Sequence, residues 1–394
     1  MWYIDNMNLK ISPPFFKKVL ILFAILSLFV ILRGHIIYYL YYFNFNQEPL
    51  FFSEYFPRHV FLSWLAFGLG FVNIFFLYNI GLRIYNFKFA VFLALLYAIS
   101  PWSAYVDILG SSNAYFLSWS LAFILSVILF IHNHKNSSVY LFFSAIGLLT
   151  SSIFGLFVFI SLLISVYIIK YVNYSQLITV CKITLFPVLV VLYMLFSNIN
   201  VTKNLIIDNT IFFQDPGILN IVNQLRGETD SANFSKLGKI IENKYLYTGE
   251  KILLNFSMDF SPSLFFSSQF KLFNFSFSPP ILLGFILPFV IGIFMLKRHM
   301  KYLVVSIGLI LALSLPSVLD SRSPNLEKLI LVSPIIYMYI ALGLITITKN
   351  IKIFRPTRLL LIVIIMVSIQ ALFVIADIDL REKARFDTIY GKYL

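Results

Sequence analysis

The chain is poor in what most soluble enzymes rely on. It has a single cysteine, Cys181, set in an apolar run, so no intrachain disulfide and no cysteine-ligated metal cluster can form. Charged residues make up only 12% of the sequence, against about 25% in ordinary soluble domains. There is no G-x-G-x-x-G, no G-K-[ST], no H-E-x-x-H and no G-x-S-x-G. These absences argue against nucleotide-driven transport, zincin chemistry and a serine nucleophile on a strand-to-helix elbow. His132 and His134 stand two apart, the wrong spacing for one helical face, so they do not suggest a metal site. No internal repeat at a fixed period is visible.

What is abundant is apolar. Hydrophobic residues reach 60% and aromatic residues 18% of the 394. A soluble fold of this size could not hide that much apolar surface, so lipid must solvate much of it. The net charge of +13 then reads as membrane orientation. No basic stripe with interleaved aromatics lies outside the apolar runs, and no nucleic-acid partner is expected.

A bilayer core needs about 20 apolar residues per helix. Runs compatible with spans fall at 17–37, 59–80, 87–103, 114–131, 138–150, 153–170, 177–196, 280–296, 302–316, 329–347 and 359–376. Lys17 and Lys18 precede the first run and no small-residue cleavage site follows it, so it reads as a retained span. The expected architecture is an all-α membrane protein of about 11 transmembrane helices with one large extracytoplasmic loop domain. Its divisions are 1–196, 197–279, 280–376 and an extracytoplasmic tail, 377–394. With the N-terminus cytoplasmic, short inner segments collect Lys10, Lys17, Lys18, Arg83, Lys88, Lys135, Lys170, Lys297, Arg298, Lys301, Lys349, Lys352, Arg355 and Arg358. The short outer loops hold only Arg58, Arg322 and Lys328, a clear positive-inside bias. Treating 138–150 and 153–170 as two helices preserves this sorting; merging them destroys it. Segment 197–279 is polar and mixed, too long for a structureless loop, and is expected to be a small folded cap with a helix around 235–255.

The candidate chemistry therefore gathers on one membrane face. Glu48, Glu54 and Arg58 occupy the first outer loop, and Glu54 and Arg58 are spaced to pair on a helix, as a plain interfacial ion pair or as part of a site. Asp107 is the one charge between spans 3 and 4, either a helix cap or a carboxylate near a polar cavity. Glu54, Asp107 and Arg226 are expected to converge, with Arg58 nearby. Aromatics crowd 38–56, as an interfacial belt or as surfaces for sugar stacking. Asn233, Asn255 and Asn274 each begin an Asn-Phe-Ser triplet, matching the N-glycosylation pattern, though composition alone accounts for them.

Four stretches carry a family resemblance. They are 58–105, ending in Ser100-Pro101-Trp102 and the residues after it; 223–245, opening Asn223-Gln224-Leu225-Arg226-Gly227-Glu228; 255–266; and 315–344. In this order they resemble the GT-C superfamily of polyprenyl-phosphate-sugar glycosyltransferases, in the bacterial branch related to protein O-mannosyltransferases and lipid A aminoarabinose transferases. That family places an acid just after its first span as catalytic base; here Glu48 and Glu54 are the acids of that loop, and no Asp-Glu dipeptide exists. The resemblance implies transfer of a sugar from a polyprenyl-phosphate carrier to a lipid, glycan or protein acceptor on the outer face of a bacterial-type cytoplasmic membrane. Glu54, Glu48 and Asp107 would be the catalytic candidates. Arg58, Arg226, Arg322 and Lys328 would hold the donor phosphate, a task that suits arginine's fork. Glu228, Lys244 and Tyr245 are candidates in the loop domain. No cofactor is implied, the lipid-linked sugar being a substrate, and a divalent metal is left open. The alternatives are a catalytically inactive GT-C-like protein of envelope glycan assembly and a small-solute transporter. A transporter should show mid-span acids and paired repeats, and neither is visible.

Overall fold

The computed structural model describes residues 18–30, 56–109, 112–152, 154–168, 174–197, 220–225, 243–266, 271–272, 275–276, 279–297, 299–320 and 323–350, with single positions 199 and 365. Apolar helices dominate: α1 (Lys18–Val30), α2 (Phe56–Ile84), α3 (Phe87–Ile99), α4 (Pro101–Leu109), α5 (Ser112–Ile131), α6 (Ser137–Thr150), α7 (Gly155–Ile168) and α8 (Tyr174–Ser197). After these come α9 (Lys244–Asp259), α10 (Pro262–Phe266), α11 (Ile286–Lys297), α12 (Met300–Val318), α13 (Leu326–Leu329) and α14 (Ser333–Asn350). Among the described residues the only sheet is a ribbon, β1 (Lys271–Leu272) with β2 (Phe275–Ser276), pairing Lys271 with Ser276 and Leu272 with Phe275.

Five stretches are helical, long and apolar enough to cross a membrane: Leu65–Ile84, Ser112–Ile131, Tyr174–Ser197, Met300–Val318 and Leu326–Thr348. The chain is thus an all-α membrane protein. Lys18–Val30, Phe87–Ile99, Ser137–Thr150, Gly155–Ile168 and Leu283–Lys297 are apolar but shorter. The expected count of eleven full spans is not reached among the described residues, and 359–376 lies almost wholly outside them. Local breaks account for much of the shortening. The run 87–103 is not one helix: α3 ends at Ile99, Ser100 is extended (φ −69°, ψ 126°), and Pro101 begins α4. Proline disfavours α geometry in the residue before it and is well placed in a first turn. The 138–150 and 153–170 runs form two separate helices, α6 and α7. The turn into α6 uses Asn133 and Asn136 at positive φ, 52° and 64°, which asparagine tolerates better than most residues.

The core of the bundle is largely apolar and closely packed. α11 and α14 form its most extensive helix pair, α2 packs on α3 and α5, and α14 packs on α3. Glycines allow the closest approaches. A Cβ on Gly343 would overlap the Pro288 carbonyl, and one on Gly292 the Tyr339 carbonyl. This is the small-residue crossing by which membrane helices gain van der Waals contact where no hydrophobic drive exists between them. Buried hydroxyls of the spans return to their own helix: Ser118 donates to the Ala114 carbonyl, Ser120 to Phe116 and Thr184 to Val180. Opposite this core, α8 exposes Leu185, Phe186, Leu189, Tyr193 and Phe196, and α12 exposes Val304, Ile307 and Leu311. In a membrane protein such faces belong to lipid.

Of the 197–279 segment, the described parts are 220–225, α9, α10 and the ribbon. Among the described residues its longest helix is Lys244–Asp259, which overlaps the expected 235–255, residues 235–242 of that stretch lying outside the described ones, and it packs against α12.

Candidate functional site

A group of polar residues collects where α9 meets the C-terminal end of α12 and the start of α13. α12 closes at Val318, and the chain turns through Leu319 and Asp320 before α13 starts at Leu326. Asn325 caps α13, its side-chain oxygen accepting from the Glu327 amide (3.1 Å) and the Lys328 amide (3.3 Å). Its other atoms tie the turn together. The Asn325 amide donates to Ser317 Oγ (3.0 Å), and Asn325 Nδ2 donates to Asp320 Oδ2 (2.6 Å). Lys328 Nζ sits 2.9 Å from the same Asp320 oxygen, with both side chains largely buried.

α9 docks on this turn with its polar face. Asn255 Nδ2 donates to the carbonyls of Val318 (2.8 Å) and Asp320 (3.4 Å). Asn255 is buried, so the Asn-Phe-Ser triplet there cannot carry a glycan in the folded chain. One turn on, Asp259 is 1% exposed and accepts from Ser323 Oγ at 3.1 Å through Oδ1. Among the described residues its buried Oδ2 has no hydrogen-bond partner. Burial disfavours the ion. Ser317 and Ser323 favour it, and the Asp320 charge opposes it again, leaving the Asp259 carboxyl pushed up to about 6.

The end of α3 joins the same region. Trp102 donates its indole N–H to the Leu326 carbonyl (2.7 Å) and packs its ring 5.4 Å from that of Phe265. Ser100, at the α3–α4 break, donates to the Pro280 carbonyl (3.1 Å) and accepts from Tyr337 Oη (2.6 Å). The extended geometry imposed by Pro101 is what frees Ser100 to reach across. The small cavity lined by Leu96, Ser100, Ile281 and Tyr337 has room for about one water and no substrate group.

The residues singled out from sequence are placed unevenly. Lys328 belongs to the cluster, held by Asp320. Lys244 and Tyr245 form the first turn of α9, with the ammonium 5.4 Å from the Tyr245 ring centroid, and Tyr245 is exposed. Arg58 falls in the first turn of α2 and Asp107 in the last turn of α4. Glu48, Glu54, Arg226, Glu228 and Arg322 lie outside the described residues, as does the expected convergence of Glu54, Asp107 and Arg226. Among the described residues no group of three His, Cys, Asp or Glu side chains is placed to hold a metal ion. Sequence reasoning missed Asp259, Asp320, Asn255 and Asn325. The available signal was the density of Ser, Asn and Asp in 255–263 and 317–325, which is unusual beside such apolar flanks.

No family model matches the chain, and no curated protein matches it. Among solved structures it is similar to the crystal structure of the Archaeoglobus fulgidus oligosaccharyltransferase in complex with zinc and sulfate. The TM-score is 0.44 and the identity 14%, over 80% of this chain and 41% of that one, so this chain spans less than half the length of that protein.

Proposed function

We propose that the chain is a membrane glycosyltransferase of GT-C type, moving a sugar from a polyprenyl-phosphate carrier to an acceptor at the membrane face where Asp320 lies, and that this face is extracytoplasmic. One observation carries the reading. Three of the four stretches that bear the family resemblance meet at one end of the bundle: Trp102 from the first, Asp259 from the third, and Asp320 with Lys328 from the fourth. They supply the kinds of group that inverting transfer needs. A carboxylate removes the acceptor proton, and cations hold the leaving lipid phosphate. The site would open sideways to lipid, where a long-chain donor diffuses.

In this reading the base is a carboxylate of the same face, with Glu54 first, then Glu48 and Asp107. Asp259 joins them because its raised pKa suits a base working near neutral pH. At 1% exposure it is covered in this structure, with Ser323 against it. Arg58, Arg226, Arg322 and Lys328 are the phosphate ligands. The finer topology belongs to the same proposal: eleven crossings, a cytoplasmic N-terminus, and 197–279 with the C-terminus outside. Cysteines at Asn223 and Gly391, in a Cys181→Ser background, are expected to react with an impermeant reagent on intact cells; protection of both overturns that topology.

The test of function is turnover of labelled polyprenyl-phosphate sugars by the purified protein in lipid. Transfer is expected. Glu54→Gln should lower the rate by about 10²–10⁴-fold while donor binding persists, and Arg226→Ala should weaken donor binding instead. Wild-type rates in all the carboxylate-to-amide variants sink the base assignment. No transfer from any polyprenyl-phosphate donor sinks the enzyme and leaves a non-catalytic relative.

A further inference from the structure

Helix α9 is built inside out for a water-exposed element. Thr248, Asn255 and Asp259 are its buried residues, while Tyr245, Leu246, Leu253, Leu254 and Met258 face outward. Leu253 is 71% exposed. A helix resting on a soluble core shows the reverse pattern, apolar side in and polar side out. With 16 residues it is about 24 Å long, and its polar buried face makes it a poor crossing helix.

Its height relative to the membrane follows from its contacts. Asn255 bonds the carbonyl of Val318, the last residue of the crossing helix α12, and α9 packs along the end of that helix. α12 turns Val304, Ile307 and Leu311 outward, the face assigned above to lipid. Through Val318, α9 is therefore fixed beside the end of a crossing helix, at the level where the hydrocarbon ends. The two halves of α9 differ. The C-terminal half presents Leu253, Leu254 and Met258 beside the Val318 anchor. The N-terminal half carries one exposed leucine, Leu246, among Lys244, Tyr245, exposed Glu250 and Lys251. Tyrosine and lysine are the residues that sit at headgroup level.

From these features we infer that α9 is an interfacial helix bound to the bilayer surface at the Asp320 end. Leu253, Leu254 and Met258 enter the acyl boundary, while the Lys244 turn and Glu250 stay among headgroups and water. Such helices bury an apolar face about 5–10 Å into the interface. The opposite face of α9 holds Asp259 and Asn255 against the 317–325 turn, so the bilayer surface and the polar cluster grip the same helix from two sides. The inference rests on the membrane reading alone and does not depend on glycosyl transfer.

The test is a nitroxide scan in a Cys181→Ser background, with single cysteines at Leu246, Glu250, Leu253, Leu254 and Met258. The protein is placed in nanodiscs of phosphatidylcholine and phosphatidylglycerol, and thermal unfolding confirms that each variant folds. Labels at 253, 254 and 258 are expected to collide several-fold more with oxygen than with a water-soluble nickel complex, and the label at 250 should show the opposite preference. Three outcomes overturn the proposal: free access of the nickel complex at 253, 254 and 258; exclusion of both reagents there, which marks cover by another part of the chain; and dipolar broadening that vanishes on dilution with unlabelled protein, which marks a second copy. Because the readout is collision rate, its failure leaves the transferase assay standing, and a failed assay leaves the scan standing.

Discussion

The crossing of α11 with α14 and the junction of α9 with the Asp320 turn are held by different forces. At the crossing, Gly292 and Gly343 bring backbones into contact and the surrounding core is apolar. Nothing there depends on charge. At the junction, Asn255, Ser323, Asn325 and Lys328 make directed bonds, and among the described residues Asp259 keeps a carboxylate oxygen unpaired. The crossing specifies shape and tolerates no added volume. The junction accepts a destabilised ionisable group, which proteins keep chiefly where function requires it.

The comparison breaks most sharply if volume is added at the crossing. Gly343→Leu forces side-chain atoms into the Pro288 backbone, and the loss should exceed about 4–5 kcal/mol, the range reserved for gross core disruption. Yield of monodisperse protein in detergent is expected to collapse; near-normal yield would mean the crossing is looser than described. Next comes Lys328→Met, which keeps the stem and removes the ammonium beside Asp320. Removing one partner of a buried pair costs about 3–5 kcal/mol, and the partial exposure of this pair places the effect at the lower end. Thermal unfolding should show it, and Asn325→Asp should also lower stability, because it replaces the amide that donates to Asp320 with a second carboxylate.

The last effect is the one that depends on pH. The Asp259 carboxyl is raised from 3.8 to about 6, so the folded state binds its proton more tightly than the unfolded chain. Its contribution is fully present below pH 4 and is lost as the pH rises from about 4 through 6. About 2 pKa units correspond to roughly 3 kcal/mol across that window. Asp259→Asn should flatten the stability profile between pH 4 and 6, while Gly343→Ala should lower the profile without changing its slope. An unchanged slope in Asp259→Asn would show that another group titrates there.

Parts of both regions were legible in the chain. Apolar runs located the helices because burial in lipid demands apolar composition and internally satisfied backbones. The separation of α6 from α7 followed from charge sorting. The break at Ser100 was also present in the sequence, as Pro101, but length dominated the reading of 87–103. At the candidate site, Lys328 could be named because it is a lone lysine in a short polar turn between two apolar runs. Asp259 could not, because nothing in its neighbourhood announces that Ser323, 64 residues later, will close over it.

The sequence by itself determined that this is a helical membrane protein, since composition decides the solvent a chain can accept. It also marked some helix ends, such as the turn between α6 and α7, because proline, asparagine and short polar turns act on adjacent residues. Only the tertiary structure decided which polar groups share a site. Trp102, Asn255, Asp259, Asp320 and Lys328 are brought together by helix packing, and packing depends on the shapes of facing surfaces far apart in sequence. Tertiary structure likewise decided which side of α9 faces out: the polar side meets the Asp320 turn, and the leucines are left for the membrane.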